Sequence, residues 1–125
     1  MENTANTVIA LIAHDGKKPE MVAFAHRNKR KLSRYQLIAT STTGKMLIEQ
    51  VGLQVDLLLS GPYGGDAQIA ARVATGAVKA VFFFVDPLNA HPHEPDIQGL
   101  LRVCNVHNVP LATNAATAEL LLKGL

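Results

Sequence analysis

Short apolar runs alternate with amphipathic stretches along the whole chain. The apolar runs are typical of strands buried in a sheet, and we expect five of them, over residues 7–13, 35–39, 56–59, 79–85 and 109–112. The stretches that follow them have helical spacing, and we expect helices that begin near residues 19, 45, 66, 97 and 115. Such alternation with short links predicts an α/β fold: a single-domain, doubly wound sheet of about five mainly parallel strands, with helices on both faces, over residues 1–125.

Composition fits a small globular protein without a polyanionic partner. Of the 125 residues, 48% are hydrophobic and 18% are charged, and the formal net charge is only +2. The one basic cluster, residues 27–31, falls at a predicted helix end and lacks aromatic neighbours, so we expect no nucleic-acid partner. No apolar run approaches the roughly 18 residues of a membrane span, and the N-terminus does not resemble a signal peptide. With the lone Cys104 expected as an inert core thiol, we predict a cytoplasmic protein with no membrane partner.

Polar residues concentrate where the predicted strands end. His14 and Asp15 follow the first strand, residues 40–43 the second, residues 60–66 the third and residues 86–96 the fourth. The carboxyl ends of parallel strands share one edge of the sheet, and ligands of such folds bind outside that edge. We therefore expect a single site that gathers all four clusters.

Two of these clusters suit an anion. The threonines of residues 40–43 precede a predicted helix, whose N–H groups and positive dipole end favour a phosphate or carboxylate, although threonines here are equally typical of ordinary helix caps. Lys18 could add a positive charge. The glycine-rich residues 60–66 either approach a ligand with bare backbone or form a tight turn with Asp66 as the helix N-cap. Neither the P-loop pattern nor the dinucleotide-binding glycine pattern occurs.

Several acids and bases accompany the predicted anion site: His14, Asp15, Asp66, Asp86, His93 and Asp96. Together they suit removal of a proton beside a carbonyl in a small phosphorylated substrate, with a carboxylate as the base and an imidazole or cation steadying the enediolate oxygen. A zinc site from His14, His91 and His93 with an aspartate is a weak alternative, because His-x-His on a proline-rich loop is a poor metal signal. We expect no metal. Serine-hydrolase chemistry is disfavoured because the Gly-x-Ser-x-Gly elbow is missing.

Five stretches of the chain resemble the methylglyoxal synthase family: residues 14–18, 39–44, 60–66, 86–96 and 109–114. The glycine-rich stretch and the Asp-Pro-Leu-Asn stretch are the most specific of them. The resemblance implies a homohexameric α/β enzyme that converts dihydroxyacetone phosphate to methylglyoxal and inorganic phosphate without metal or coenzyme. Because the anion site should accept free phosphate as well as a phosphoester, we also expect phosphate to inhibit by competition.

The resemblance also implies a role for each candidate. Asp66 looks like the base that removes a proton from the carbon bearing the hydroxyl. His93 looks like the group that moves protons between the enediolate oxygens, supported by Asp96 and Asp15. The remaining candidates are expected to contact the substrate. Six of them would hold its phosphate: Lys18, Thr40, Thr42, Thr43, Ser60 and Gly61. The other two are His14 and Asp86.

Two positions and one alternative limit the resemblance. Ser41 stands where glycine is familiar in the family, and His91 receives no role. The same fold also serves as a regulatory module that binds effectors and performs no chemistry, so the fold alone does not decide between the two functions. The complete set of Asp66, His93 and Asp96 favours the enzyme, since a binding module has no use for it.

Overall fold

The computed structural model describes residues 6–89 and 94–125, and for residues 94–96 it describes the backbone alone. Within these residues one parallel sheet is formed by β1 (Val8–Ala13), β2 (Gln36–Ala39), β3 (Asp56–Leu57), β4 (Ala80–Phe84) and β5 (Leu111–Ala112). The helices are α1 (Lys18–Arg27), α2 (Lys29–Leu32), α3 (Ser41–Met46), α4 (Gly65–Ala74), α5 (Glu94–Val106) and α6 (Ala115–Lys123). The predicted α/β class is confirmed.

The order of the strands places a crevice between two of them. Across the sheet the order is β3-β2-β1-β4-β5, so the chain moves outward in one direction after β1 and in the other direction after β4. In parallel sheets this reversal is where ligands bind, because the connections on either side diverge and leave a gap at the carboxyl edge. His14 follows β1 directly, and its backbone N–H donates to the carbonyl of Phe84 at the end of β4, at 3.1 Å.

Both faces of the sheet are covered, as predicted. Ile9 and Leu11 of β1 belong to a core that also contains Met21 and Phe24 of α1. Ala10 and Ile12, which point the other way, pack in a second core against α4 and α5. Helices α1, α2 and α6 and the π-helical turn Leu47–Val51 after α3 contribute to the first core. The alternation of strand side chains between two buried layers explains why the strands are nearly continuously apolar.

The prediction that the third strand is buried on both faces is wrong. β3 contains only two paired residues and lies at the edge of the sheet, with β2 as its neighbour. Leu57 is 42% exposed and Leu59, just beyond the strand, is 50% exposed. An apolar run is the mark of a central strand, but here the run covers an edge strand and the loop after it.

Three helix starts also differ from the expectations. α3 begins at Ser41 rather than near residue 45, because Thr40 is its N-cap and the polar residues that follow are already helical. α5 begins at Glu94 rather than at residue 97, because Pro95 lies in the first turn, where its missing N–H breaks no hydrogen bond. The N-cap of α4 is Gly64, with φ of +100°, so the interpretation of Asp66 as the N-cap is wrong and Asp66 lies one residue inside the helix. At α6 the cap is Asn114, whose side-chain oxygen accepts from the N–H of Thr117 at 2.9 Å.

Candidate active site

A cavity of about 210 Å³ lies at the carboxyl edge of the sheet, beside the end of β1. It collects residues from the ends of β1, β2 and β3 and from the start of α4. The predicted site residues that line it are His14, Asp15, Lys18, Thr40, Thr42, Ser60, Gly61 and Asp66. The expectation that the polar clusters meet at one edge therefore holds for three of the four clusters in this cavity.

Asp66 reaches the cavity through the tight path of the glycine-rich segment. A short 3-10 helix, Gly61–Tyr63, ends at Gly64, and α4 starts at once with Gly65. A Cβ on Gly65 would overlap the carbonyl oxygen of Leu59 and press on the methyl group of Thr40, so glycine is what allows the start of α4 to sit against β2 and β3. As a result Asp66 borders the cavity although only 2% of its surface is exposed.

Lys18 supplies positive charge to the same cavity from the first turn of α1. Its side chain is 11% exposed, and its Nζ donates to the carbonyl oxygen of Ala13 at 3.2 Å. Nζ also pairs with Oδ1 of Asp15 at 2.5 Å. The Asp15 side chain is 97% exposed, so this carboxylate is solvated, whereas that of Asp66 is enclosed by protein.

The hydroxyl-bearing residues divide into two groups. Thr40, Thr42 and Ser60 line the cavity, together with the backbone of Gly61, whereas Thr43 does not. Thr43 is 1% exposed, and its Oγ1 accepts from the N–H of Ala13 at 3.3 Å and lies 3.4 Å from the Ala13 carbonyl and from Oγ1 of Thr40. Thr43 thus ties the start of α3 to the end of β1, directly before His14.

His14 forms the wall between this cavity and a larger neighbour. The ring is buried, packs edge-on against Phe83 at a centroid distance of 5.2 Å, and accepts a hydrogen bond at Nδ1 from the backbone N–H of Asp86 at 2.9 Å. The larger cavity, of about 530 Å³, is mainly apolar and is also lined by Asp86, Asn89 and Ile97. The smaller cavity, not the larger one, contains the predicted anion site.

Asp86 is placed differently from the other predicted substrate contacts. It is buried, borders the larger cavity, and accepts from the N–H of Leu88 at 3.1 Å and from the side-chain amide of Asn89 at 2.5 Å. Asn89 is not among the site residues predicted from the sequence. The sequence signals only the turn, since an Asp followed by Pro is typical of a turn in which the Asp side chain accepts from backbone N–H groups further on, here that of Leu88.

Two of the predicted catalytic residues are beyond what the structure describes. His93 lies outside the described residues, as does His91, and of Asp96 only the backbone position in the first turn of α5 is described. Among the described residues no group of three His, Cys, Asp or Glu side chains is arranged to hold a metal ion. The zinc alternative, which needs the two loop histidines, therefore stays untested.

Two other sequence expectations concern the rest of the chain. Cys104 is buried in the core beneath α4 and α5, and burial raises the pKa of its thiol, so the prediction of an inert core thiol is supported. Within residues 6–89 and 94–125, the helices include none that is long and apolar enough to cross a membrane.

Comparison with known proteins agrees with this arrangement. The family model described as an MGS-like domain matches residues 20–113. A methylglyoxal synthase of Clostridium botulinum (strain Eklund 17B / Type B) is 59% identical over 115 residues, which are 92% of this chain and 97% of that protein. The chain belongs to the methylglyoxal synthase family. The resemblance noted in the sequence is confirmed, and with it the enzyme class, a carbon–oxygen lyase.

Further family members support the same assignment. A methylglyoxal synthase of Thermus thermophilus is 63% identical over 114 residues, which are 91% of this chain and 90% of that protein. The crystal structure of methylglyoxal synthase from Elizabethkingia anophelis NUHP1 matches with a TM-score of 0.89 at 42% identity, over 94% of this chain and 77% of that one. The fold is therefore that of the family.

Proposed function

We propose that the chain converts dihydroxyacetone phosphate to methylglyoxal and inorganic phosphate, with Asp66 as the general base. One observation supports this most directly. A buried carboxylate borders the same 210 Å³ cavity as the Lys18 ammonium and the hydroxyl-bearing residues Thr40, Thr42 and Ser60. A phosphate held at the cationic side thus brings the far carbons of a three-carbon substrate towards a base.

The phosphate half of the site rests on complementary charge and hydrogen bonding. Lys18 offers a positive charge, and Thr40, Thr42 and Ser60 offer hydroxyl donors around the bare backbone of Gly61. The contribution of Thr43 is indirect in this proposal, because its hydroxyl is engaged with the backbone of Ala13.

Asp66 is the best placed of the described aspartates to act as the base. Asp15 is solvated and paired with Lys18, and Asp86 holds the turn that follows β4 and borders the other cavity. A base that removes a proton from carbon must lie within hydrogen-bond reach of that proton in a site that excludes water. Asp66 meets the burial requirement at the edge where the substrate would lie.

The chemistry balances without a further reactant. Asp66 takes a proton from the hydroxyl-bearing carbon, and the electron pair moves to the carbonyl oxygen to give an enediolate. A proton then moves from the terminal hydroxyl to the central oxygen, which we assign to His93 with Asp96 and Asp15 in support. The electrons released at the terminal oxygen form the aldehyde and expel phosphate. The remaining enol then takes up a proton on its methylene carbon and loses the proton of its central hydroxyl to give methylglyoxal. We assign to His14 a hydrogen bond to a substrate oxygen.

The test is incubation of the protein with dihydroxyacetone phosphate, following methylglyoxal and phosphate together. We expect equal release of the two products, unchanged after dialysis against a chelator. Loss of activity on chelation with recovery on adding zinc would contradict the metal-free reaction. Binding of phosphorylated ligands without any turnover would instead identify a regulatory module.

The oligomeric state, the cellular location and the inhibition by phosphate are proposed as well. We propose a homohexamer in the cytoplasm, in which inorganic phosphate is both product and competitive inhibitor. The inhibition follows from the site, because a cavity that binds a phosphoester through Lys18 and hydroxyl groups should bind free phosphate as well.

A further inference from the structure

A short hydrogen-bonded network leads from an exposed asparagine to the buried His14. The side-chain amide of Asn89 donates to Oδ2 of Asp86 at 2.5 Å, and the N–H of Leu88 donates to Oδ1 of the same carboxylate at 3.1 Å. The backbone N–H of Asp86 donates in turn to Nδ1 of His14 at 2.9 Å. Asp86 and His14 are 8% and 4% exposed, so water competes little with the links between them.

The Asp86 carboxylate is also confined by the neighbouring backbone. Gly16 lies so close to Asp86 Oδ2 that an added Cβ would overlap that oxygen. Asp86 also precedes Pro87, and a residue before proline is restricted to extended backbone. With one oxygen held by Leu88 and the other by Asn89, the Asp86 peptide has little freedom to turn its N–H away from His14.

The direction of that N–H decides which nitrogen of a neutral His14 carries the proton. Because Nδ1 accepts a hydrogen bond, the ring is held as the tautomer protonated at Nε2, in which Nε2 is the donor. A histidine that donates to a substrate oxygen must keep its proton on the nitrogen that faces the oxygen. If the Asp86 N–H turned away from His14, the tautomer protonated at Nδ1 would also be populated. In that tautomer Nε2 accepts a hydrogen bond instead of donating one.

We propose that Asn89 is a positioning residue for the reaction, acting through Asp86 to hold His14 in the Nε2-protonated tautomer. Its kinetic effect rests on the proposed function, whereas its effect on His14 does not. Asn89 itself touches no reacting atom in this account. Its role is to keep the Asp86 carboxylate, and so the Asp86 N–H, in a single orientation.

The test combines kinetics with ¹⁵N NMR of the full-length protein labelled at its five histidines. The variants are Asn89→Ala, which removes the amide, and Asn89→Asp, which keeps the shape but sets a carboxylate against Asp86. Asn105→Ala is the matched control, since Asn105 is an exposed asparagine on α5. Signals of His14 are assigned by their disappearance in His14→Gln, and thermal unfolding checks that each variant is folded.

We expect the parent and Asn105→Ala to show one protonated and one unprotonated ring nitrogen for His14. In both Asn89 variants the two signals should move towards each other as the tautomers mix. We expect kcat to fall roughly tenfold with KM changed less than about twofold, because orientation rather than binding is lost. A single tautomer in both Asn89 variants, or a fall in kcat without tautomer mixing, would overturn the proposal. A parent protein without turnover would refute the proposed function, and the NMR signals would still decide the role of Asn89.

Discussion

Asp66 and Asp15 are both carboxylates at the rim of one cavity, yet their surroundings differ. Asp66 is enclosed at the start of α4, and Asp15 projects into solvent beside Lys18. A solvated, ion-paired carboxylate is a weak base, and its charge is already balanced. We therefore propose different tasks for them. Asp66 removes the proton from carbon, and Asp15, which pairs with Lys18, supports the later proton transfer by His93.

Replacing Asp66 by Asn should remove the base while keeping the shape of the side chain. We expect turnover of dihydroxyacetone phosphate to fall by roughly a hundred- to ten-thousand-fold, the usual scale for a general base. Phosphate binding and folding should persist. The decisive measurement is exchange of the substrate carbon-bound hydrogen with solvent deuterium, followed separately from phosphate release. Asp56→Asn, on the exposed β3, is the control. Exchange at the parental rate in Asp66→Asn would move the role of base to another carboxylate.

Thr42 and Thr43 are neighbours in sequence but should respond differently to replacement by Ala. Thr42 is exposed and lines the cavity, so Thr42→Ala should raise KM and weaken phosphate inhibition several-fold with little change in stability. Thr43→Ala leaves the Ala13 backbone without its buried partner, so the free energy of unfolding should also fall by about 1–3 kcal/mol. Urea titrations and inhibition constants separate the two effects. Equal unfolding free energies for both variants would show that the buried Thr43 hydroxyl stabilises nothing.

At the scale of the elements, the hydrophobic pattern predicted the strands and the two covered faces of the sheet, but not the order of the strands. It identified the strands ending at Ala13 and Ala39 and the two covered faces, because period and burial are local properties of the chain. It did not predict the strand order, since periodicity reports which way a side chain points and not which strand lies beside it. The exposure of Leu57 and Leu59 follows from that order and was missed with it.

The same distinction holds for the site. That the polar clusters meet at one edge was predictable, because parallel strands place their carboxyl ends together. That Thr43 faces Ala13 rather than the cavity, and that Asn89 holds Asp86, depends on side-chain distances of 3.3 Å and 2.5 Å. Residue type and spacing do not contain this information.

The junction between β3 and α4 depends on a missing side chain at Gly65. In Gly65→Ala the new Cβ would overlap the Leu59 carbonyl, which is backbone and cannot rotate away. We expect the free energy of unfolding to fall by about 1–3 kcal/mol, the cost of overpacking, and KM to rise as Asp66 shifts. Gly99→Ala is the control, because nothing lies within 4 Å of a Cβ there and helix propensity should raise stability slightly, by up to about 1 kcal/mol. Equal stability of the two variants would show that the tight junction at Gly65 is not required.

At the scale of the whole molecule, large apolar side chains remain exposed along one edge of the sheet. Leu57 and Leu59 lie at the end of the edge strand and just beyond it, and Tyr63 stands in the 3-10 helix that follows, 79% exposed. We call these three residues the edge patch. An uncovered edge strand with apolar neighbours is a surface that proteins ordinarily bury against another chain.

The proposed hexamer gives the edge patch an occupant, namely a second copy of the chain. Six chains of 13.4 kDa should give a particle of about 80 kDa by light scattering at micromolar concentration. Leu59→Lys places a charge in the edge patch, and we expect it to lower the measured mass, because an unpaired charge is costly to bury in an apolar contact. Leu120→Lys is the matched control: Leu120 is 70% exposed on α6, outside the edge patch, and this variant should keep the parental mass. If light scattering gave the mass of a single chain for the unmodified protein, the hexamer would be refuted. A Leu59→Lys protein that still forms the parental particle would place the contact elsewhere, since a lysine at the centre of a buried apolar interface could not leave assembly unchanged.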